Sequence, residues 1–149
     1  MKKRFAAAFT LIELLVVITI IAILASLVLG AGGAVQKKAA RSRTEAEIAA
    51  IGAALERFKA DNGDYPSNSL TNVSACLVTN LIATNGSKGY FEFRNKSIDS
   101  STNYLDAFGN SYNYIYTNGS PNNGTNNYDL WSTAGDTTGR ASNTWIKNW

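Results

Sequence analysis

The run FAAAFTLIELLVVITIIAILASLVLG, residues 5–30, constrains this chain more than any other feature. It is apolar enough for a buried helix, yet it carries one carboxylate, Glu13, near its start. From Leu14 to Gln36 no residue is charged. At a rise of about 1.5 Å per residue, a helix over 9–34 would reach roughly 39 Å, enough to cross a hydrocarbon core. Lys2, Lys3 and Arg4 precede the run, which holds its start on the cytoplasmic side and sends the rest of the chain across the membrane. An ordinary secretory signal has a shorter apolar region ending in a small-x-small site, and Ala25-Ser26-Leu27 or Gly30-Ala31-Gly32 could serve as one. Glu13 speaks against that reading. An ionised acid inside a bilayer costs several kcal/mol unless it is paired, so its presence points to a partner.

The length of 149 residues accommodates one domain behind that segment. Lys2, Lys3 and Arg4 supply the whole formal charge of +3, because the other eleven basic residues are matched by eleven acidic ones. No basic face remains to neutralise phosphates, and a nucleic-acid partner is not expected. Histidine is absent, which removes the usual general base and the usual zinc ligand together. No nucleophile stands beside a base at a recognisable spacing, so an enzyme is not expected. The single cysteine, Cys76, cannot form an internal disulfide and reads as a small buried apolar residue.

Beyond the glycines of LGAGGAV, residues 34–66 read as a helix with an amphipathic second half. Ile48, Ile51, Leu55 and Phe58 form its apolar stripe, and Glu45, Glu47, Glu56, Arg57 and Lys59 lie off it on a solvated face. Asn62-Gly63 supplies the stop and Pro66 forbids continuation. Residues 67–103 are harder to read: Leu70, Val73, Leu77 and Leu81 suit a short helix, and GYFEFR (89–94) a strand. SYNYIY (111–116) and YDLWS (128–132) alternate as two strands around a turn-rich tip, a β-hairpin. Tyr112, Tyr114 and Tyr116 could stack on sugar, but core and cross-strand packing are the commoner uses. The elements add up to an α+β fold. A long N-terminal helix, membrane-spanning in its first half, packs by its amphipathic second half on a small antiparallel sheet.

KKRFAAAFTLIELLVV (2–17) resembles the class III leader of type IV pilins and of the pseudopilins of type II secretion: a short basic leader, a small residue, then Phe-Thr-Leu-Ile-Glu and a long apolar helix. The resemblance implies residues 1–8 as a leader, 9–34 as the transmembrane and assembly helix, and 35–149 as a periplasmic pilin-like domain. A membrane prepilin peptidase would cut between Ala8 and Phe9 and methylate the new amine of Phe9. Where the family has Gly before the cut this chain has Ala8, the smallest replacement. Glu13 would then pair with the Phe9 amine of a neighbouring subunit, each charge relieving the other's burial, so that subunits add in one register. Within one chain Phe9 and Glu13 are also i,i+4 neighbours, so a self-contact before assembly is a second option. Gly30 stands where the family tends to carry a proline; here Gly30, Gly32 and Gly33 supply the helix weakness instead, and a bend or local melting is expected there in a filament.

DNGDYPS, LDAFGNSYNY, YDLWSTAGD and the final IKNW resemble, in order, landmarks of the major pseudopilins of type II secretion. Members of that group hold calcium in the C-terminal loop. The resemblance places Thr133 (by its carbonyl) and Asp136 as ligands, but Thr144-Trp145 replaces the expected acidic pair. Either Asn143 and backbone carbonyls complete a weaker site, or Asp136 caps a turn while Trp145, Ile146 and Trp149 pin the loop by packing. The resemblance further implies an inner-membrane, single-pass subunit that polymerises with itself and with minor pseudopilins. Its other partners would be the bilayer, the peptidase, and an inner-membrane assembly platform with its ATPase. Two alternatives stand beside this reading, a subunit of a surface type IV pilus and a membrane-anchored periplasmic binding protein that never assembles.

Overall fold

The computed structural model describes residues 9–67, 74–83, 88–116, 122–124, 126–136, 138 and 143–149, and within the first helix leaves out the side chains of 28–32. Two compact units are present, residues 1–38 and 39–149. Helix α1 (Leu11–Asn62) contributes to both.

In the first unit, the apolar side chains of α1 from Leu11 to Leu27 are exposed on every side, Leu11 at 87% and Leu27 at 67%. A helix apolar all round belongs in an apolar surrounding rather than on a wet surface. Among the described residues no helix is long and apolar enough to cross a membrane. The helix runs through Gly33 without interruption, so any weakness of the glycines is not expressed as a break in the single chain.

The second unit is built on the remaining turns of α1. Ile48, Ile51, Ala54 and Leu55 are buried and Phe58 packs beside them, the stripe expected from spacing. The helix ends at Asn62, whose side-chain amide donates to the Phe58 carbonyl at 2.9 Å. Gly63 follows at φ 87° and donates its N–H to Lys59, the left-handed C-terminal cap that glycine favours. Helix α2 (Ala75–Leu81) buries Leu77, Val78 and Leu81 against this stripe. Leu70 and Val73, expected in the same helix, lie outside the described residues.

Strands β1 (Asn113–Ile115), β2 (Asp129–Ser132) and β3 (Ile146–Lys147) form an antiparallel sheet in the order β1-β2-β3. The register pairs Tyr114 with Leu130, and both are fully buried. Trp131 pairs with Asn113 on one side and Lys147 on the other, away from the core. The hairpin is where the alternation placed it; most of its tip, residues 117–121 and 125, lies outside the description.

Residues 89–94 do not form the expected strand. They run as irregular chain into a 3-10 turn at Asn95–Ser97. The N–H groups of Tyr90 and Phe91 both donate to the Leu81 carbonyl, at 2.9 and 3.1 Å, which leaves no ladder to extend. Alternation here serves ring packing instead: Phe93 meets Phe91 at 4.7 Å and Tyr104 at 4.9 Å, both edge-on.

Tyrosines carry much of this core, and their hydroxyls find partners. Tyr112 donates to Glu47 at 2.7 Å, Tyr114 to the Pro66 carbonyl at 2.8 Å, and Tyr65 to Glu56 at 2.8 Å. Tyr112 and Tyr114 are fully buried, so the ladder is core rather than a sugar platform. Cys76 is half-buried, donates its thiol to the Ser67 carbonyl, and is pushed above the usual thiol pKa by burial.

Candidate functional site

Glu13 sits in the first turn of α1, and its carboxylate is held by Thr10. The Thr10 amide donates to Oε2 at 2.9 Å, the Thr10 hydroxyl donates to the same oxygen at 2.8 Å, and the Glu13 amide donates to the Thr10 hydroxyl at 3.3 Å. This reciprocal pairing is a capping box, which satisfies otherwise orphaned donors at a helix start. The positive end of the helix dipole favours a negative charge at the same place. Thr-Leu-Ile-Glu has the spacing of such a box, a signal present in the sequence itself. Phe9, Ile12, Val16 and Val17 surround the carboxylate with apolar surface, and Phe9 is 82% exposed. In the uncut chain Phe9 carries a peptide nitrogen, and the carboxylate's donors are the amide and hydroxyl of Thr10. Ala8 lies outside the described residues, as do the side chains of Gly30 and Gly32. At Gly33 an added Cβ would meet nothing within 4 Å.

Of the expected calcium positions, Thr133 and Asp136 are engaged in turns of the C-terminal loop. The Thr133 carbonyl accepts from the Asp136 amide at 2.9 Å, closing a turn in which Ala134 and Gly135 take φ values of 53° and 83°. Asp136 Oδ1 accepts from the Thr138 amide at 2.9 Å and the Thr138 hydroxyl at 2.6 Å, so this carboxylate caps a turn. Asn143 is exposed. Asp129, nearby in sequence, is fully buried and accepts from the backbone of Asn122 and Asn123, each at 3.2 Å. Among the described residues no group of three or more His, Cys, Asp or Glu could hold a metal ion. Calcium takes six to eight oxygens, several of them anionic. Trp145, at a position where an acid is expected, carries instead a buried indole N–H with no acceptor among the described residues. Among the described side chains from Thr133 to Trp149, Asp136 supplies the one carboxylate.

Other polar residues organise the globular unit, and the sequence did not single them out. Asp106 is 6% exposed and accepts from the amides of Phe108 and Asn110 at 2.8 and 2.9 Å through one oxygen. Its other oxygen accepts from the Ser132 hydroxyl, tying the turn before β1 to the end of β2. The stretch Asp106-Ala-Phe-Gly-Asn110 has the composition of a side-chain-capped turn, the signal that could have found it. Glu47 is not part of a solvated face as expected: its carboxylate is 14% exposed and meets Arg94, Arg43 and the Tyr112 hydroxyl. Helical spacing put Glu47 beside the stripe, and the side chains that cover it come from distant sequence.

Residues 33–149 match the family described as "Type II secretion system (T2SS), protein G", and residues 3–29 match the "Prokaryotic N-terminal methylation motif". The type II secretion system core protein G of Aeromonas hydrophila is 42% identical over 67 residues, covering 45% of this chain and 47% of that one. The protein of the same name from Pseudomonas aeruginosa gives the same 42% over 67 residues. That of Escherichia coli K12 is 36% identical over 87 residues, 56% of this chain and 60% of its own. The chain thus spans about half the length of the first two relatives. No solved structure matches it. One family match runs through the amphipathic turns of α1, the sheet and the C-terminal loop, and the other covers the segment holding Thr10 and Glu13; the chain belongs to the protein G family of the type II secretion system.

Proposed function

We propose that this chain is a membrane-stored structural subunit that polymerises into a periplasmic pseudopilus and so drives protein export by type II secretion. The observation that carries the reading is Glu13, a carboxylate at the head of an all-apolar helix whose ligands are the amide and hydroxyl of its neighbour Thr10. Cutting between Ala8 and Phe9 creates an amine on Phe9, which the peptidase then methylates. An incoming subunit's Glu13 meets that amine in the bilayer, and a charge left unpaired there costs about 3 kcal/mol or more. Only one axial register pairs both charges, so the penalty sets where subunits stop. Segment 9–34 crosses the inner membrane once, with residues 35–149 in the periplasm. Minor pseudopilins, the assembly platform and its ATPase are the partners this role requires.

The test replaces Glu13 by Leu and by Gln in the native host. Both variants should accumulate in the membrane, give no filaments, and abolish release of exported proteins. Filaments formed by Glu13→Leu would sink the pairing account. Loss of surface fibres with export intact would move the chain to a surface pilus, and no phenotype at all would make it an anchor.

A further inference from the structure

We propose that the C-terminal segment of this chain is closed by the Arg41 guanidinium and a tryptophan cluster in the place of a bound divalent cation, so that the globular unit folds without calcium. Arg41 Nη1 donates to the Thr144 carbonyl at 2.8 Å, joining residues 103 positions apart. The same guanidinium is oriented along the helix by Glu45, whose Oε1 lies 3.1 Å from Nε. A fixed positive charge therefore occupies the carbonyl oxygen that stands just before Trp145.

The residues that follow are tied by contacts of other kinds. Trp145 stacks on Trp131 at 6.3 Å with an interplanar angle of 14°, and Trp149 meets Trp131 edge-on at 5.9 Å. Lys147 lies over the Trp149 ring at 5.1 Å. Ile146 is buried and pairs with Ser132, while Asn148 exchanges hydrogen bonds with the backbone of Leu130. From Thr133 to Trp149 the sequence holds one acid, Asp136, against Arg140 and Lys147. Asp136 is spent on Thr138. A divalent cation brought to the Thr144 carbonyl would meet the Arg41 guanidinium already there, and like charges held close repel. The guanidinium performs the closing task from within the chain, with a positive charge that cannot be removed by chelation.

The test is thermal unfolding of the full chain in detergent micelles, with calcium chloride or with a chelator. The melting temperature is expected to be the same in both. Calcium at a hundredfold its dissociation constant would raise the melting temperature by roughly 5–10 °C for a chain of this size, and such a rise overturns the proposal. Arg41→Ala should speed amide exchange at Ile146–Trp149 and lower the melting temperature whether or not calcium is present. Arg41→Lys should recover part of both effects, and Glu45→Gln, which leaves the bond to Thr144, should leave exchange at Ile146–Trp149 unchanged. Unaltered exchange in Arg41→Ala overturns the proposal equally. If Arg41→Ala does not fold, exchange in Arg41→Lys and the calcium comparison on the unaltered chain decide.

Discussion

Removing the Asp106 carboxylate should be among the costliest single changes in the globular unit. Its two oxygens accept from three donors, the amides of Phe108 and Asn110 and the Ser132 hydroxyl. Asp106 itself is 6% exposed, so water cannot readily replace those bonds. A buried donor left without an acceptor costs about 1–3 kcal/mol, which puts Asp106→Ala at roughly 3–5 kcal/mol once partial wetting of the turn is allowed for. That is a large share of a typical total of about 5–15 kcal/mol. Asp106→Asn should behave differently. Its carbonyl can still serve both amides, and the Ser132 hydroxyl, which already accepts from Ala134 at 2.9 Å, can turn to meet the new amide group. A loss of about 1 kcal/mol is then expected. Urea unfolding followed by tryptophan fluorescence reads both values, provided the slope against denaturant is unchanged. A loss below about 1 kcal/mol for Asp106→Ala, or equal losses for the two variants, would refute the claim that acceptor geometry matters here.

Gly33→Ala should raise helix stability by about 1 kcal/mol, because the added methyl meets open space. If bending at the glycines is used in the filament, filament yield should fall as helix content by circular dichroism rises; undiminished yield would show that the glycines serve another purpose. Alkaline stability should report the tyrosine core. Burial, with Glu56 adding to it, pushes Tyr128 up to about 12 from 10.0, and burial raises Tyr112 and Tyr114 in the same direction. Unfolded phenols release their protons near pH 10 while Tyr128 keeps its own, so stability is complete below about pH 10 and is lost as pH climbs through about 12. Tyrosinate absorbance should therefore rise together with loss of structure, and ionisation of all seven tyrosines near pH 10 with the fold intact would contradict the burial.

Features set by neighbours in sequence were legible, and features set by distant contacts were not. The stripe Ile48, Ile51, Leu55, Phe58, the stop at Asn62-Gly63 and the hairpin around Tyr114 and Leu130 follow from periodicity and turn chemistry. Residues 89–94 alternate like a strand, yet what decides their conformation is the shared Leu81 carbonyl and the rings of Phe93 and Tyr104. Strand β3 is two residues long, too short to carry a period. Periodicity alone puts Glu47 on a wet face, because nothing local says that Arg94 and Tyr112 will close over it. Glu13 was singled out as a charge in the wrong solvent. What the structure adds is the ligand, Thr10, which was three residues away and readable.

The carboxylates of this chain divide by how easily their partners can be exchanged. Asp106 and Asp129 are held by backbone amides of turns that would have to open, and Glu47 by groups from three separate parts of the fold. Releasing Asp106 or Asp129 means opening a turn. Glu13 is held by neutral donors of one neighbouring residue at a helix end. An ammonium in a low-dielectric surrounding is a far better partner, since a bond in which both members are charged is stronger and relieves burial on both sides. On the pairing proposed above, the cap would hold the carboxylate while the chain is alone and yield it once an amine arrives. A carboxylate fixed as firmly as Asp106 would fold the chain as well but would have nothing left to offer a neighbour.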